Sequence, residues 1–100
     1  MAMTALTGKQ RRYLRGLGNE LTPVVMIGRN GLSDTVLRTL AEAFNNAELV
    51  KVKLQDGFDG VRYDVAEELA KNVSAQLVHV LGKTILLYRR HLEKPKIILP

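Results

Sequence analysis

The sequence contains no cysteine and no tryptophan, and aromatic residues make up only 5% of its 100 positions. The lack of cysteine excludes disulfides, thiolate metal sites and cysteine nucleophiles. Small secreted domains usually depend on disulfides, so we expect a reducing compartment, the cytoplasm. Apolar runs such as Thr84–Tyr88 fall far short of the roughly 20 residues that a membrane helix needs. Met1–Leu6 also lacks the basic start and apolar stretch of a signal peptide, so we expect no membrane partner.

The charge of the chain is unevenly distributed. The net charge is +5, with 15 Lys and Arg against 10 Asp and Glu. Residues 1–33 have a net charge of +4, residues 34–70 of −4, and residues 71–100 of +5. Chains that need charge only for solubility tend to mix the two signs, so segregation on this scale favours an anionic partner. Blocks of this kind also arise by chance in small chains, and charge alone does not decide between the two interpretations.

The first third of the chain predicts an amphipathic helix followed by a short strand. Thr7 and Gln10 have the spacing of a capping box, which places a helix start near residue 8. A helical wheel places Tyr13, Leu14 and Leu17 on the inward face. The basic residues fall on the outward face: Lys9, Arg11, Arg12 and Arg15. Gly18-Asn19 can end this helix, and Val24–Ile27 then fits a buried central strand.

The remainder predicts two helices and three strands. Ser33 or Asp34 can cap a second helix with Val36, Leu37, Leu40 and Phe44 inward. Leu49–Gln55 alternates as a strand with Lys51 and Lys53 outward, and a third helix is expected over Tyr63–Ala75. Gln76–Leu81 and Thr84–Arg90 are strand-like, and Gly82-Lys83 suits a type II′ hairpin turn between them. Residues 1–5 and 93–100 are expected to be flexible or extended tails, the second docked in part by Ile97, Ile98 and Leu99.

This order, α-β-α-β-α-β-β, predicts a single compact α/β domain with a mixed four-stranded sheet packed with helices. Strand–helix–strand crossovers favour parallel pairing, and the final hairpin is antiparallel. One hundred residues suit one domain, and a hydrophobic content of 46% argues against disorder. The expected core comprises Val25, Ile27, Leu37, Leu40, Phe44, Val52, Leu69, Val78, Val80 and Leu86. Tyr13 is also assigned to the core, whereas Phe58 is the one aromatic side chain expected to be exposed for stacking.

The most distinctive local feature is Gly28-Arg29-Asn30-Gly31, a G-x-x-G turn between a strand and a helix. Glycines there permit close approach of a sugar-phosphate backbone, amides at a helix N-terminus attract anions, and Arg29 adds a cation. G-x-x-G loops of KH modules clamp nucleic acid in this way. The pattern alone is weak, because glycines also serve unusual dihedral angles, but two basic segments flank this one. It lacks the frame of a phosphate-binding Walker loop and the third glycine of a dinucleotide fingerprint.

Several blocks of the chain together resemble one family, in the same order. They are Leu6–Gln10, Leu21–Leu32, Glu48–Lys53 and Val80–Arg89. Over about residues 6–100 the sequence is similar to the CRM (chloroplast RNA splicing and ribosome maturation) family in its bacterial, YhbY-type, single-domain form. The resemblance implies a fold like the C-terminal domain of translation initiation factor three. It also implies RNA binding and, in bacteria, association with precursors of the large ribosomal subunit; related plant-organelle domains occur in intron splicing factors.

The resemblance also implies where RNA would bind. The family's G-x-x-G loop corresponds to Gly28, Arg29, Asn30 and Gly31, and its basic first helix to Lys9, Arg11, Arg12 and Arg15. Many relatives have Lys at the loop centre, and Arg29 preserves that charge. Lys83, Arg89 and Arg90 are expected to extend the cationic surface, whereas the acidic middle segment is not assigned to RNA contact. We expect backbone and shape recognition by a monomer, with ribosomal RNA in large-subunit precursors as the partner.

Catalysis and cofactor binding find little support in the sequence. His79 and His91 have no Cys, Ser or acidic partner nearby in sequence, and Ser33 is better placed as a helix cap than as a nucleophile. Asp56 and Asp59 flank glycines, which is typical of a turn rather than a metal loop. We expect no catalytic residue, metal, cofactor or small-molecule substrate. Two alternatives remain open: an adaptor that uses its basic face on an acidic protein, and a binder of other structured RNA such as introns.

Overall fold

A computed structural model describes residues 5–29, 31–58 and 60–100. The elements follow the predicted order: α1 (Gly8–Gly18), β1 (Val25–Ile27), α2 (Asp34–Ala43), β2 (Leu49–Leu54), α3 (Arg62–Asn72), β3 (Gln76–Leu81) and β4 (Thr84–Tyr88). The strands form one mixed sheet in the order β1-β2-β4-β3, in which β1 is parallel to β2 and the other pairs are antiparallel. The predicted α/β class and element order are confirmed. No helix in the described part of the chain is long and apolar enough to cross a membrane.

Helices cover the sheet on both faces, but unequally. On one face α2 and α3 enclose the larger core cluster, to which Leu40, Leu69 and Ile85 contribute. On the other face α1 packs over a smaller cluster around Leu14 and Leu86. Strand alternation sends successive side chains to opposite faces, which is why β2 can bury Val50, Val52 and Leu54 in the larger cluster and Leu49 in the smaller one.

The local signals at three element ends act as predicted. Thr7 and Gln10 form a complete capping box at the start of α1. The Ser33 hydroxyl caps α2 by accepting a hydrogen bond from the Val36 amide at 3.2 Å. In the hairpin turn Gly82 has φ +57°, and Ser74 is the only non-glycine residue with positive φ in the described chain. Lys83 therefore has the negative φ that a type II′ turn requires.

The helix α1 contacts the sheet through a different face from the one predicted. Tyr13 and Leu17 are 43% and 40% exposed, whereas Leu14 and Gly18 are buried. A Cβ at Gly18 would lie 2.7 Å from Leu86 Cδ2, so this glycine allows the end of the helix to rest directly on the sheet. The prediction that Leu14 faces inward is confirmed, but the same prediction for Tyr13 and Leu17 is wrong. The helix turns Gly18 toward the sheet, and glycine has no apolar side chain by which a helical wheel could identify that face.

The expectation of a buried central strand at Val24–Ile27 is wrong. The strand β1 lies at the edge of the sheet, and Met26 is 54% exposed. A short apolar run predicts a strand but not its position in the sheet.

Two further expectations need correction. The helix α3 ends at Asn72 rather than Ala75, since Ser74 adopts φ +55° and the Ala75 amide donates to the Ala70 carbonyl in a Schellman-type ending. Ser74 occupies the place usually taken by glycine, so no residue type signals the end of this helix. Phe58 is half-buried and packs against the larger core cluster, so it is not the exposed stacker that we expected.

The C-terminal segment docks on the domain through a buried glutamate. The Glu48 side chain is only 5% exposed. Its Oε1 accepts hydrogen bonds from the Lys96 and Ile97 amides, both at 2.7 Å, and its Oε2 accepts one from the His91 amide at 2.8 Å. Ile97 and Leu99 pack against the smaller cluster while Ile98 stays exposed, so the tail is extended but held. Burial raises the pKa of Glu48, but the three amides together lower it below its ordinary value of 4.5.

Candidate nucleic-acid interface

The G-x-x-G turn joins β1 to α2, and its two glycines serve different purposes. Gly31 has φ +64°, and its amide donates to the Gly28 carbonyl at 3.0 Å. Gly28 has a close neighbour instead: a Cβ there would lie 2.5 Å from Gln55 Oε1. Gly31 therefore has a conformational reason to be glycine, whereas the neighbour of Gly28 is the end of an exposed, flexible side chain that can move aside. Asn30, at the predicted centre of the loop, lies outside the described residues.

The anion-attracting groups of this turn are fewer than the sequence suggested. The Gly31 amide is used within the turn, and one of the first amides of α2, that of Val36, already donates to the Ser33 hydroxyl. Asp34 adds a negative charge in the first turn of that helix. Arg29, in contrast, is exposed. The guanidinium of Arg29 is therefore the group of the described loop residues that is best placed to attract a phosphate.

The basic side chains of the predicted helix are exposed from its first turn to its last. Lys9, Arg11, Arg12 and Arg15 are all exposed, and α1 contains no acidic residue. Arg11 lines a surface cavity of about 260 Å³ that also involves Tyr63 and Glu67 of α3. Arg15 lies toward β3, since its charge helps to lower the pKa of His79, for which burial is the largest cause and Lys51 contributes as well. Arg15 of α1 and Lys51 of β2 thus both lower the pKa of one residue of β3, His79.

The three cations expected to extend the surface lie in different surroundings. Lys83, in the hairpin turn, forms an ion pair with Asp56, and hydrogen bonding and charge from Lys83 lower the pKa of that exposed carboxyl. The Arg89 guanidinium donates to the Val73 carbonyl at 2.9 Å and lies 5.0 Å from the centre of the Phe44 ring. Arg89 is therefore half-buried and engaged in part by the domain itself, and its expected contact with RNA stays a prediction. Arg90 is exposed but follows the end of β4 that is remote from the glycine turn.

Two cations that the sequence analysis set aside lie on the same side of the sheet as α1. Lys51 and Lys53 alternate with Val50, Val52 and Leu54, which point into the opposite core cluster. Lys53 is exposed and Lys51 half-buried. Their outward alternation is visible in the sequence. Residues 34–70 are acidic overall, however, and for that reason the segment was not expected to contact RNA. A segment's net charge does not report the charge of each face that it contributes to.

The two histidines considered as catalytic residues lie in and just beyond the strands of the sheet in the described chain. No group of three or more His, Cys, Asp or Glu side chains is arranged to hold a metal there. His79 is half-buried in a strand, and His91 accepts a hydrogen bond from the Lys94 amide through Nδ1. Asp59, one of the two turn carboxylates considered above, lies outside the described residues.

These observations define a class of protein: a small α/β domain with a wholly basic helix on one sheet face and a G-x-x-G turn at its edge. The chain belongs to the CRS1 / YhbY (CRM) domain family, whose match spans residues 6–89. The expected family is thereby confirmed.

Relatives of this chain are described as RNA-binding proteins. It is 41% identical to the probable RNA-binding protein YqeI of Bacillus subtilis over 95% of this chain and 99% of that one. It is 38% identical to an RNA-binding protein of Haemophilus influenzae over 98% of each chain. The solution structure of Staphylococcus aureus SAV1595, described as a candidate RNA-binding protein, matches with a TM-score of 0.81 and 35% identity. That match covers 95% of this chain and 99% of SAV1595.

Proposed function

We propose that this protein is a non-catalytic RNA-binding protein that associates with precursors of the large ribosomal subunit and assists their assembly. One observation carries the proposal. All four charged side chains of α1 are basic and exposed, and the same domain exposes Arg29 in the G-x-x-G turn. The names of the relatives support RNA as the anion. We further propose that the protein acts as a cytoplasmic monomer.

The proposed contacts are electrostatic and largely independent of base sequence. Within the motif Gly28-Arg29-Asn30-Gly31, Arg29 would bind a phosphate. The other phosphate contacts would come from α1, through Lys9, Arg11, Arg12 and Arg15. These five contacts to single-stranded RNA correspond to a slope of about −3.5 in the logarithm of affinity against the logarithm of salt concentration, from about −0.7 for each contact. Lys83 and Arg90 would add only peripheral attraction, since one is paired with an aspartate and the other is remote from the turn.

The test is charge reversal in the turn. We expect Arg29→Glu to weaken RNA binding markedly, because it replaces a phosphate partner with a repelling carboxylate, and to leave the melting temperature nearly unchanged, because Arg29 is exposed. Arg38→Glu is the matched control, since Arg38 is an exposed arginine on α2, on the other side of the sheet. Binding is measured by fluorescence anisotropy with ribosomal RNA fragments, and retention on pre-ribosomal particles by gradient sedimentation. Equal retention of both variants would contradict a role for the turn.

The identity of the RNA is tested by ultraviolet crosslinking in cells and sequencing of the attached RNA. Recovery of large-subunit ribosomal RNA precursors supports the assembly role. Enrichment of intron or messenger RNA would point to another structured RNA, and binding that an acidic protein competes away would point to an adaptor.

A further inference from the structure

The smaller helix layer leaves half of one sheet face uncovered. The strand registers pair Met26 with Lys53, Lys53 with Thr84, and Thr84 with Leu81, so these four side chains form one row across all four strands. Period-two alternation puts this row on the α1 side, because Ile27, Leu54, Ile85 and Val80 point into the opposite cluster. Met26 and Leu81 are 54% and 65% exposed, Lys53 is exposed and Thr84 is half-buried.

A second row lies between this one and the helix. It contains Lys51, Leu86 and His79, in register across β2, β4 and β3. Leu86 is covered by the end of α1 at Gly18, whereas Lys51 and His79 remain half-exposed. Lys51 and Arg15 both lower the pKa of His79. The positive charges of Arg15 in α1 and Lys51 in β2 therefore both affect His79 at the border of the uncovered surface, in addition to the larger effect of burial.

The uncovered rows connect the two parts of the proposed site. Met26 lies two residues before Gly28, so one end of the first row adjoins the G-x-x-G turn. The other end, at Leu81, lies two residues after His79 on β3, the strand on which α1 packs through Leu14 and Val78. Four strands at a spacing of about 4.8 Å make this path roughly 14 Å wide. In the two rows the charged side chains are Lys51 and Lys53, and neither row contains a carboxylate.

We infer that this open sheet surface, defined by Met26, Lys51, Lys53, His79, Leu81 and Thr84, binds a single-stranded RNA segment that runs between the glycine turn and α1. The inference rests on the proposed function and adds residues and a strand type to it. Lys51 and Lys53 contact phosphates, while the exposed apolar side chains of Met26 and Leu81 contact bases. Only unpaired bases can lie flat on such a surface, because in a duplex the bases are stacked and turned inward. Charge complementarity and exposed apolar groups together favour this occupant.

The experiment compares two double variants of equal charge change. Lys51→Gln with Lys53→Gln alters the open sheet surface. Lys71→Gln with Lys94→Gln removes two exposed lysines elsewhere, on α3 and in the C-terminal segment. The probe is a fluorescein-labelled single-stranded oligoribonucleotide, titrated at several salt concentrations, with a duplex of the same sequence measured in parallel. Circular dichroism melting checks that each variant is folded.

For the single strand we expect the first double variant to reduce the salt slope by about 1.4, from about 0.7 for each lost phosphate contact, and the second to leave the slope unchanged. Met26→Ser with Leu81→Ser should weaken binding of the single strand several-fold with no change in slope, and should affect the duplex less. If the two lysine double variants behave alike while Arg29→Glu still weakens binding, the inference is overturned and the proposed function stands. If Arg29→Glu and the lysine variants all bind like the wild type, both are overturned.

Discussion

The two faces of the sheet differ in both packing and charge. The face under α2 and α3 holds thirteen buried residues of the described chain, and the face under α1 holds five. The helices on the first face carry more acidic than basic residues, whereas α1 carries four basic and no acidic ones. The basic first segment and the acidic middle segment of the sequence thus place helices of opposite net charge on the two sides of one sheet.

This difference shows how a 100-residue domain can combine stability with an open binding surface. Burial of apolar area provides most of the free energy of folding, and one well-filled face supplies most of that burial. The second face can then be half-covered, with cations and exposed apolar side chains where a complete helix layer would otherwise lie. The variants below separate the two faces by measuring stability and RNA affinity together.

The largest expected effect is a loss of stability without a loss of affinity. Leu69→Ala in α3 removes a fully buried side chain from the larger cluster. We expect the free energy of unfolding to fall by about 2–5 kcal/mol, from lost burial and the cavity left behind. RNA affinity, measured at a temperature where the variant is still folded, should match the wild type. A parallel loss of affinity would show that the two faces are coupled through the sheet. Urea titration and fluorescence anisotropy provide the two values.

A smaller effect is expected at the tail. Glu48→Gln replaces one carboxylate oxygen with an amide nitrogen that cannot accept, so at least one of the three backbone amides loses its partner. We expect a loss of about 1–3 kcal/mol near neutral pH. Glu93→Gln, an exposed residue of the same segment, is the matched control and should change little.

The same pair gives a pH test. The folded pKa of Glu48 lies below its ordinary value of 4.5, so the unfolded chain binds more protons in acid. The stabilisation by Glu48 is therefore complete above about pH 4.5 and is lost as the pH falls through the folded pKa. The stability difference between wild type and Glu48→Gln should be constant above about pH 4.5 and should shrink over the range below it. A difference that stays constant over that range would contradict a charged Glu48 as the acceptor.

The smallest effect concerns the contact of α1 with the sheet. Gly16 has open space around its Cβ position, whereas a Cβ at Gly18 would press on the buried Leu86. Gly16→Ala should stabilise the protein by about 0.8–1 kcal/mol through helix propensity. Gly18→Ala gains the same propensity but overpacks the contact, for a net loss of about 1 kcal/mol. The difference in melting temperature between the two variants measures the effect of the contact between Gly18 and Leu86. Equal stabilisation by both substitutions would contradict that contact.

Sequence patterns predicted the features governed by local rules. The capping box at Thr7, the Ser33 cap, the alternation of β2 and the glycine of the hairpin turn each depend on neighbours within four residues. The order of elements then limits the sheet to a few topologies, so the fold class was accessible as well. Phe44 and Leu40 followed from helical periodicity and are buried.

The remaining features depend on contacts between residues distant in sequence. Gly18 on Leu86, Arg89 over Phe44, and Glu48 with the amides of residues 91, 96 and 97 each join segments more than 40 residues apart. In the candidate site the basic helix and the turn could be identified from the sequence. The uncovered sheet rows could not be, because they depend on the strand registers and on how little of the sheet α1 covers.

The tail contact also brings the two extremities of the domain side by side. The Gln10 side-chain amide donates to the Pro100 carbonyl at 3.3 Å, so residue 100 lies against the first turn of α1. A module whose entry and exit points adjoin can be inserted into a larger polypeptide without being pulled open. Because residue 100 adjoins the first turn of α1, further chain could be joined at this side of the domain without separating the tail from the helix.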